Sequence, residues 1–521
     1  MILKLDEYRM QRPHLQLLER TTDERISCKK NIYGSCKKFC KPGSGDQEKK
    51  DKGVPAERRR SSVGTWGSKK VSIDDPAEAG ALQNTFFFKS CGGKGYLLYG
   101  YQRDHLSDYR RGKARMKRQY LKTERAHFMC PNMHFGILME LGKEYDRDLA
   151  EAVLGRLAVA HPFLRSLIAY EEGTDRLYYR VTGSSKISVS LKEDLSFLWD
   201  DYRDISGKEW NVFENGLLKV FIYPGEQGMS LLFIAHHLLA DGRGLLDLAR
   251  EFAADYVRSN PPGYAEEALM QSIGDLPPKS RLSGISRFLV RGANRQWKKE
   301  NHSVSYEQYK NFAEDYCRTH PVKHEVFEAD TAAVAQMSQL CRENGFSMND
   351  LLMAHLYLKT GAKKIIIAAD IRSMLRGYRK GALGNYSTAM GIQCTLKTED
   401  VVKKAREVHK QVRKRLGKNR DLMLVLACYF EMSPTLLDAA AISALGGFDS
   451  KAGRFVGKRM FGFGGPGAYS ITNLGKVEDP DIRSLVFIPP ASPAVKLTLG
   501  VITLNGRMKV CSSRNEKDGS S

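Results

Sequence analysis

Two spacings of apolar residues alternate along this chain. Leu231, Leu232, Phe233, Ile234 and Ala235 form an unbroken apolar run, which predicts a buried strand. Beyond Gly244, the apolar residues Leu245, Leu248, Ala249 and Phe252 recur at helical spacing, so this stretch reads as strand, sharp turn, helix. Upstream, Leu149, Ala152, Val153, Leu157 and Ala160 mark an amphipathic helix over 148–160, and Pro162 discourages its continuation. Phe163 to Tyr170 and Leu177 to Val181 predict a hairpin about the polar turn from Glu171 to Asp175. Downstream, Ser347 caps a predicted helix over 347–356, and Lys364 to Asp370 reads as a buried strand. Val401, Ala405, Val408 and Val412 predict a further amphipathic helix whose lysines and arginines form a solvated face.

The turn after the first apolar run carries the candidate chemistry: His236, His237, Asp241 and Gly242. Two imidazoles and a carboxylate are ordinary zinc ligands. Adjacent strand residues point to opposite faces, however, so His236 and His237 would not readily share one ion. A lone histidine at a strand end is more often structural than functional. The reading that uses all the residues has one imidazole facing a cavity as a base and the other packing behind it. Asp241 then anchors the loop through a basic partner.

The string His-His-x-x-x-Asp-Gly at 236–242 resembles the signature of the chloramphenicol acetyltransferase-like superfamily, which includes peptide-synthetase condensation domains and bacterial alcohol acetyltransferases. Further segments are similar in the same order. His161-Pro162-Phe163-Leu164-Arg165-Ser166 resembles the condensation-domain segment Arg-His-x-x-Leu-Arg-Thr, with Ala160 and Ser166 departing from it. Asp370-Ile371-Arg372, Gly384-Asn385 and Ser470-Ile471-Thr472-Asn473-Leu474-Gly475 follow. The resemblance covers roughly residues 120 to 510.

That resemblance implies an α/β fold of two similar lobes, each a mixed sheet with helices, with an active-site tunnel between them. It implies an acyltransferase moving an acyl group from a coenzyme A or carrier-protein thioester to a hydroxyl or amine. His237 would be the general base, suited to both halves of the reaction by an unperturbed pKa of about 6.5. His236 would be structural, and Gly242 would allow a backbone geometry that a larger residue resists. Asp241 would pair with Arg372, or with Arg165 as the rival. Ser470 or Thr472 would donate to the oxyanion. No metal and no tightly bound cofactor are expected; acyl-CoA or a phosphopantetheine thioester would be a co-substrate. Partners would be a small-molecule acyl donor, an alcohol or amine acceptor and, alternatively, an acyl-carrier protein. A condensation-type enzyme joining carrier-bound partners in trans, and a noncatalytic binding relative, are the competing readings.

Length and charge set the remaining bounds. At 521 residues the chain exceeds one compact core. The expected division is a basic disordered extension over 1–120 and a first lobe over 121–295. An exposed crossover linker over 296–319, a second lobe over 320–510 and a polar tail over 511–521 follow. Relatives continue into a last helix where this tail begins, so an incomplete second lobe is expected. Much of the net charge of +22 lies in the extension, so it says little about the lobes. Such an arm could attract nucleic acid or anionic lipid; a disordered extension is the simpler expectation, with no nucleic-acid partner. Cys28, Cys36 and Cys40 lack the paired spacing of a zinc site. The first seven residues are too charged for a signal peptide, no apolar stretch reaches spanning length, and ten scattered cysteines suit a reducing cytoplasm.

Overall fold

The computed structural model describes residues 87–91, 94–98, 118–464 and 467–516. The extension expected over 1–120 therefore lies mostly outside the described residues. Within it, β1 (Phe87–Cys91) and β2 (Lys94–Leu98) pair as an antiparallel hairpin, whereas the sequence reading placed no strands there.

From residue 118 onward the chain forms one compact α/β unit. Its first half contributes β3 (His134–Leu141), β4 (Ser166–Tyr170), β5 (Leu177–Val181), β6 (Ser188–Leu191), β7 (Leu218–Gly225) and β8 (Gly228–His236). The second half contributes β9 (Val322–Ala329), β10 (Ile365–Asp370), β11 (Ser387–Ile392), β12 (Ala468–Val477), β13 (Ile482–Ile488), β14 (Val495–Leu504) and β15 (Arg507–Asn515). A five-stranded sheet has the order β13-β3-β8-β7-β6, and a six-stranded sheet has the order β11-β10-β12-β14-β15-β9. β4 and β5 form the expected hairpin beside the first sheet. β8 is the central strand of its sheet and every one of its residues is buried, which accounts for its continuous apolar run.

The helix Arg147–Ala160 begins at Asp146, whose side chain accepts from Leu149 N–H. The helix after β8 starts at Gly242, ahead of the apolar positions beyond Gly244 that predicted it. Asp241 caps it by accepting from Gly244 N–H at 3.0 Å. The stretch 296–319, expected as an exposed linker, is largely helical: Gly284–Glu300 and Tyr306–Thr319 enclose it. Val290, Ala293 and Trp297 are buried at helical spacing on the first, and Ser305 and Gln308 form a capping box on the second.

Two boundaries differ from the expected lobes. After β12 the chain leaves the second sheet, and residues 482–488 join the first, where β13 pairs antiparallel with β3 (Phe487 opposite Ile137) before the chain returns as β14. The second half of the chain thus supplies an edge strand to the sheet of the first half. Residues 511–515, expected in a polar tail, complete β15, an interior strand between β14 and β9. Their polarity is internal: Ser512 and Ser513 are buried, and Ser513 Oγ lies 2.8 Å from His324 Nδ1 on β9. Among the described residues no single helix is long and apolar enough to cross a membrane.

Candidate active site

β8 ends at His236, and His237 N–H continues its ladder by donating to Met133 O at 2.8 Å. The imidazole of His237 then turns to Asn385, 148 residues further on. Asn385 Nδ2 donates to the His237 carbonyl at 2.8 Å, while its Oδ1 lies 2.9 Å from His237 Nδ1. A carbonyl can only accept, so the amide nitrogen must face it and the amide oxygen must face the ring. That oxygen can only accept in turn. In the neutral ring Nδ1 therefore carries the proton, and Nε2 is left with its lone pair.

The half-buried ring has defined neighbours. His127 stacks on it at 4.4 Å between centroids and 13° between planes, and Phe135 lies tilted at 4.9 Å. Burial pushes the His237 pKa below its ordinary 6.5, opposed by the Asp241 carboxylate and the bond to Asn385. Burial holds His127 well below 6.5, with His237 and His236 adding to the effect. The pair is therefore neutral at neutral pH. His127 ends a short 3-10 turn, Glu124–His127, that is anchored by a buried ion pair. Arg125 Nε meets Asp438 Oδ1 at 2.7 Å, and Arg125 Nη1 donates to Asp175 O at 2.7 Å. In the same turn, desolvation raises the fully buried Glu124 to about 7.

The Asp241 carboxylate is fully engaged by other partners. Arg372 grips it bidentately, Nη2 to Oδ1 at 2.7 Å and Nη1 to Oδ2 at 3.1 Å. Tyr386 N–H donates to Oδ2 at 2.9 Å and Gly244 N–H to Oδ1 at 3.0 Å. The guanidinium at Asp241 is that of Arg372. Arg165 closes the short turn Pro162–Arg165, where its carbonyl accepts from Thr182 N–H at 2.9 Å.

Gly242 is absent from the left-handed region, so its backbone conformation does not require glycine. Space does: a Cβ there would lie 3.1 Å from Leu474 Cδ2 on β12 and 3.1 Å from Phe487 Cζ on β13. His236 is buried edge-on against Trp210, its Nδ1 accepting from Leu238 N–H at 3.2 Å, with a pKa pushed down to about 3 by burial. It sits opposite His134 across β3 and β8. Ser470 and Thr472 are half-buried on β12, four and two residues before Leu474.

Sequence reasoning missed two participants. Asn385 was visible as part of a Gly-Asn segment, but its partner is revealed only by the contact between distant segments. His127 carries no periodic or motif signal at all.

No protein-family model matches the chain. It is 28% identical over 130 residues to surfactin synthase subunit 2 of Bacillus subtilis (strain 168), a match covering 24% of this chain and 4% of that protein. Surfactin synthase subunit 1 of the same organism matches at 28% over 130 residues. The chain thus matches about 4% of the length of these curated relatives. Among solved structures, the epimerization domain of the third module of tyrocidine synthetase B is 12% identical with a TM-score of 0.49, covering 77% of this chain and 91% of that one. The EpoB cyclization-docking bidomain from Sorangium cellulosum has a TM-score of 0.50 at 10% identity, covering 83% of this chain and 92% of that one. The fold is chloramphenicol acetyltransferase-like.

Within that fold, the cross-linked loop yields a stability prediction. Removing one partner of a buried ion pair typically costs about 3–5 kcal/mol, because the other charge is stranded. Asp241→Ala also removes a helix cap, a further cost of about 1 kcal/mol. Asp241→Ala and Arg372→Ala should each lower the unfolding midpoint markedly in denaturant titrations. A midpoint unchanged from the parent chain in both would contradict a structural role for the pair.

Proposed function

We propose that this chain transfers an acyl group from a thioester to a hydroxyl or amine, with His237 as general base. The observation that carries the reading is the hydrogen-bond exchange with Asn385. It assigns the Nδ1 proton and leaves Nε2 of a rigidly mounted imidazole as an acceptor.

The steps follow from that tautomer. Nε2 takes the proton of the acceptor's O–H or N–H as its oxygen or nitrogen bonds to the thioester carbonyl carbon. The carbonyl oxygen becomes an oxyanion. When the tetrahedral intermediate collapses, the C–S bond breaks and the imidazolium returns its Nε2 proton to the departing thiolate. No covalent acyl-enzyme is needed. Ser470 and Thr472 are our candidates for the oxyanion donor. Both alternate with Leu474 along β12, and Leu474 packs against Gly242 in the loop that carries the base. A donor of this kind typically contributes about 2.7–4 kcal/mol to transition-state stabilisation. His236, Asp241 and Arg372 position His237 without touching substrate.

One assay distinguishes the donors: acyl-CoAs or acyl-carrier protein, with alcohol and amine acceptors, are incubated with the chain and thiol release is followed. Release with free acyl-CoA favours a free thioester donor, and release only with acyl-carrier protein favours a carrier-bound one. His237→Ala should reduce turnover about 10²–10⁴-fold while leaving the thermal melt near that of the parent. Full retained activity would remove His237 from the base role.

The pH dependence has a fixed sign. The base is the neutral imidazole, and its pKa is lowered from 6.5. Activity should therefore persist as pH falls to 6.5 and decline only through a lower pKa, read as the acid limb of kcat/KM. The same shift opposes folding in acid, since the unfolded ring binds its proton first as pH drops below 6.5. An acid limb centred above 6.5 would contradict a desolvated His237 as the base.

A further inference from the structure

The helix Gly284–Glu300 is capped by Ser283, whose side chain accepts from Ser286 N–H. It docks through one side, where Val290, Ala293 and Trp297 are buried, Trp297 Nε1 donates to Thr435 Oγ1 at 2.9 Å and Asn294 Nδ2 donates to Glu431 O at 2.9 Å. The outward side of its first two turns carries Ile285, 77% exposed, Phe288, 72%, and Leu289, 42%. Their i, i+3, i+4 spacing makes them one continuous apolar patch.

The charges along this segment have a single sign. From Leu276 to Lys299 the sequence holds Lys279, Arg281, Arg287, Arg291, Arg295, Lys298 and Lys299 and no aspartate or glutamate. None of these cations forms an ion pair among the described residues. Asn419 Nδ2 donates to Pro278 O at 2.9 Å, which brings exposed Lys418 and Arg420 next to the start of the segment. A second group of exposed apolar residues, Leu191, Leu195 and Phe197, is interspersed with Glu193, Asp194 and Asp200 and lacks this uniformity.

Exposed bulky apolar side chains set within unpaired arginines and lysines fit an interface that is apolar just beneath an anionic surface. We propose that the face of Ile285, Phe288 and Leu289 docks onto an anionic lipid bilayer. The three side chains enter the acyl boundary, and Arg281, Arg291 and Arg295 lie among the headgroups. The helix lies in the plane of the surface and does not span it. This surface is independent of the acyl-transfer reading.

The test uses the full chain with vesicles of phosphatidylcholine alone and of phosphatidylcholine containing about 30 mol% phosphatidylglycerol. Wild type should co-sediment with the anionic vesicles, and binding should weaken as salt is raised. The variant I285S/F288S/L289S, whose substitutions are at exposed positions and should leave the melt unchanged, should bind at least about tenfold more weakly. A tryptophan introduced by Phe288→Trp should be quenched by brominated phospholipid beyond the background of the parent chain. Equal binding by wild type and the triple variant, or no added quenching, would overturn the proposal. So would an absence of vesicle binding alongside capture of an acidic carrier protein that the triple variant loses, because the patch would then serve a protein.

Discussion

A carboxylate and a guanidinium withdrawn from water are tolerated only when their geometry is good and their remaining hydrogen-bonding capacity is met. Asp241 satisfies this by joining three parts of the chain at once. It caps the helix that follows β8, pairs with Arg372 just beyond β10, and accepts from the backbone of Tyr386 before β11. The segment bearing Arg372 and Tyr386 also carries Asn385, which sets the tautomer of His237. One ion pair therefore fixes both the loop that carries the imidazole and the residue that decides which nitrogen is free. Asp241 lies four positions from His237 and bears on it through the fold and through its field.

Other contacts bind the two sheets around this junction. β13 leaves the second half of the chain to pair with β3, and its Phe487 closes over Gly242. The turn that presents His127 to the His237 ring is held by Arg125 and Asp438, 313 residues apart in sequence. The imidazole is thus supported by segments from both halves of the chain. Rigid support of this kind favours a group that must meet a reacting atom at hydrogen-bond distance.

Local pattern was readable wherever one element's burial was set by its own sequence. β8 reads as buried because it is the central strand, and the 147–160 helix reads as amphipathic because one face packs inward. The β4–β5 hairpin announced itself by its polar turn. What could not be read depends on contacts between distant segments. β13 looks like any strand of the second half until β3 pairs with it, and Ser512 and Ser513 look like a tail until β9 covers them. The linker over 296–319 looked exposed because it follows a basic run to Lys299, although Val290, Ala293 and Trp297 on one helix and Tyr309, Ala313 and Tyr316 on the next are buried at helical spacing. At the site, the motif marked the segment of the loop. It gave no access to His127, nor to the side chains of Leu474 and Phe487 that crowd Gly242.

The central claim is that His237 holds its proton on Nδ1 through Asn385 and offers Nε2 as the acceptor. Nitrogen-15 NMR of histidine-labelled chain reads this directly, with the His237 resonances assigned by their loss in His237→Ala. At neutral pH the account predicts a neutral ring with a protonated Nδ1 and an unprotonated Nε2. A ring protonated on Nε2 alone, or an imidazolium at that pH, would contradict it.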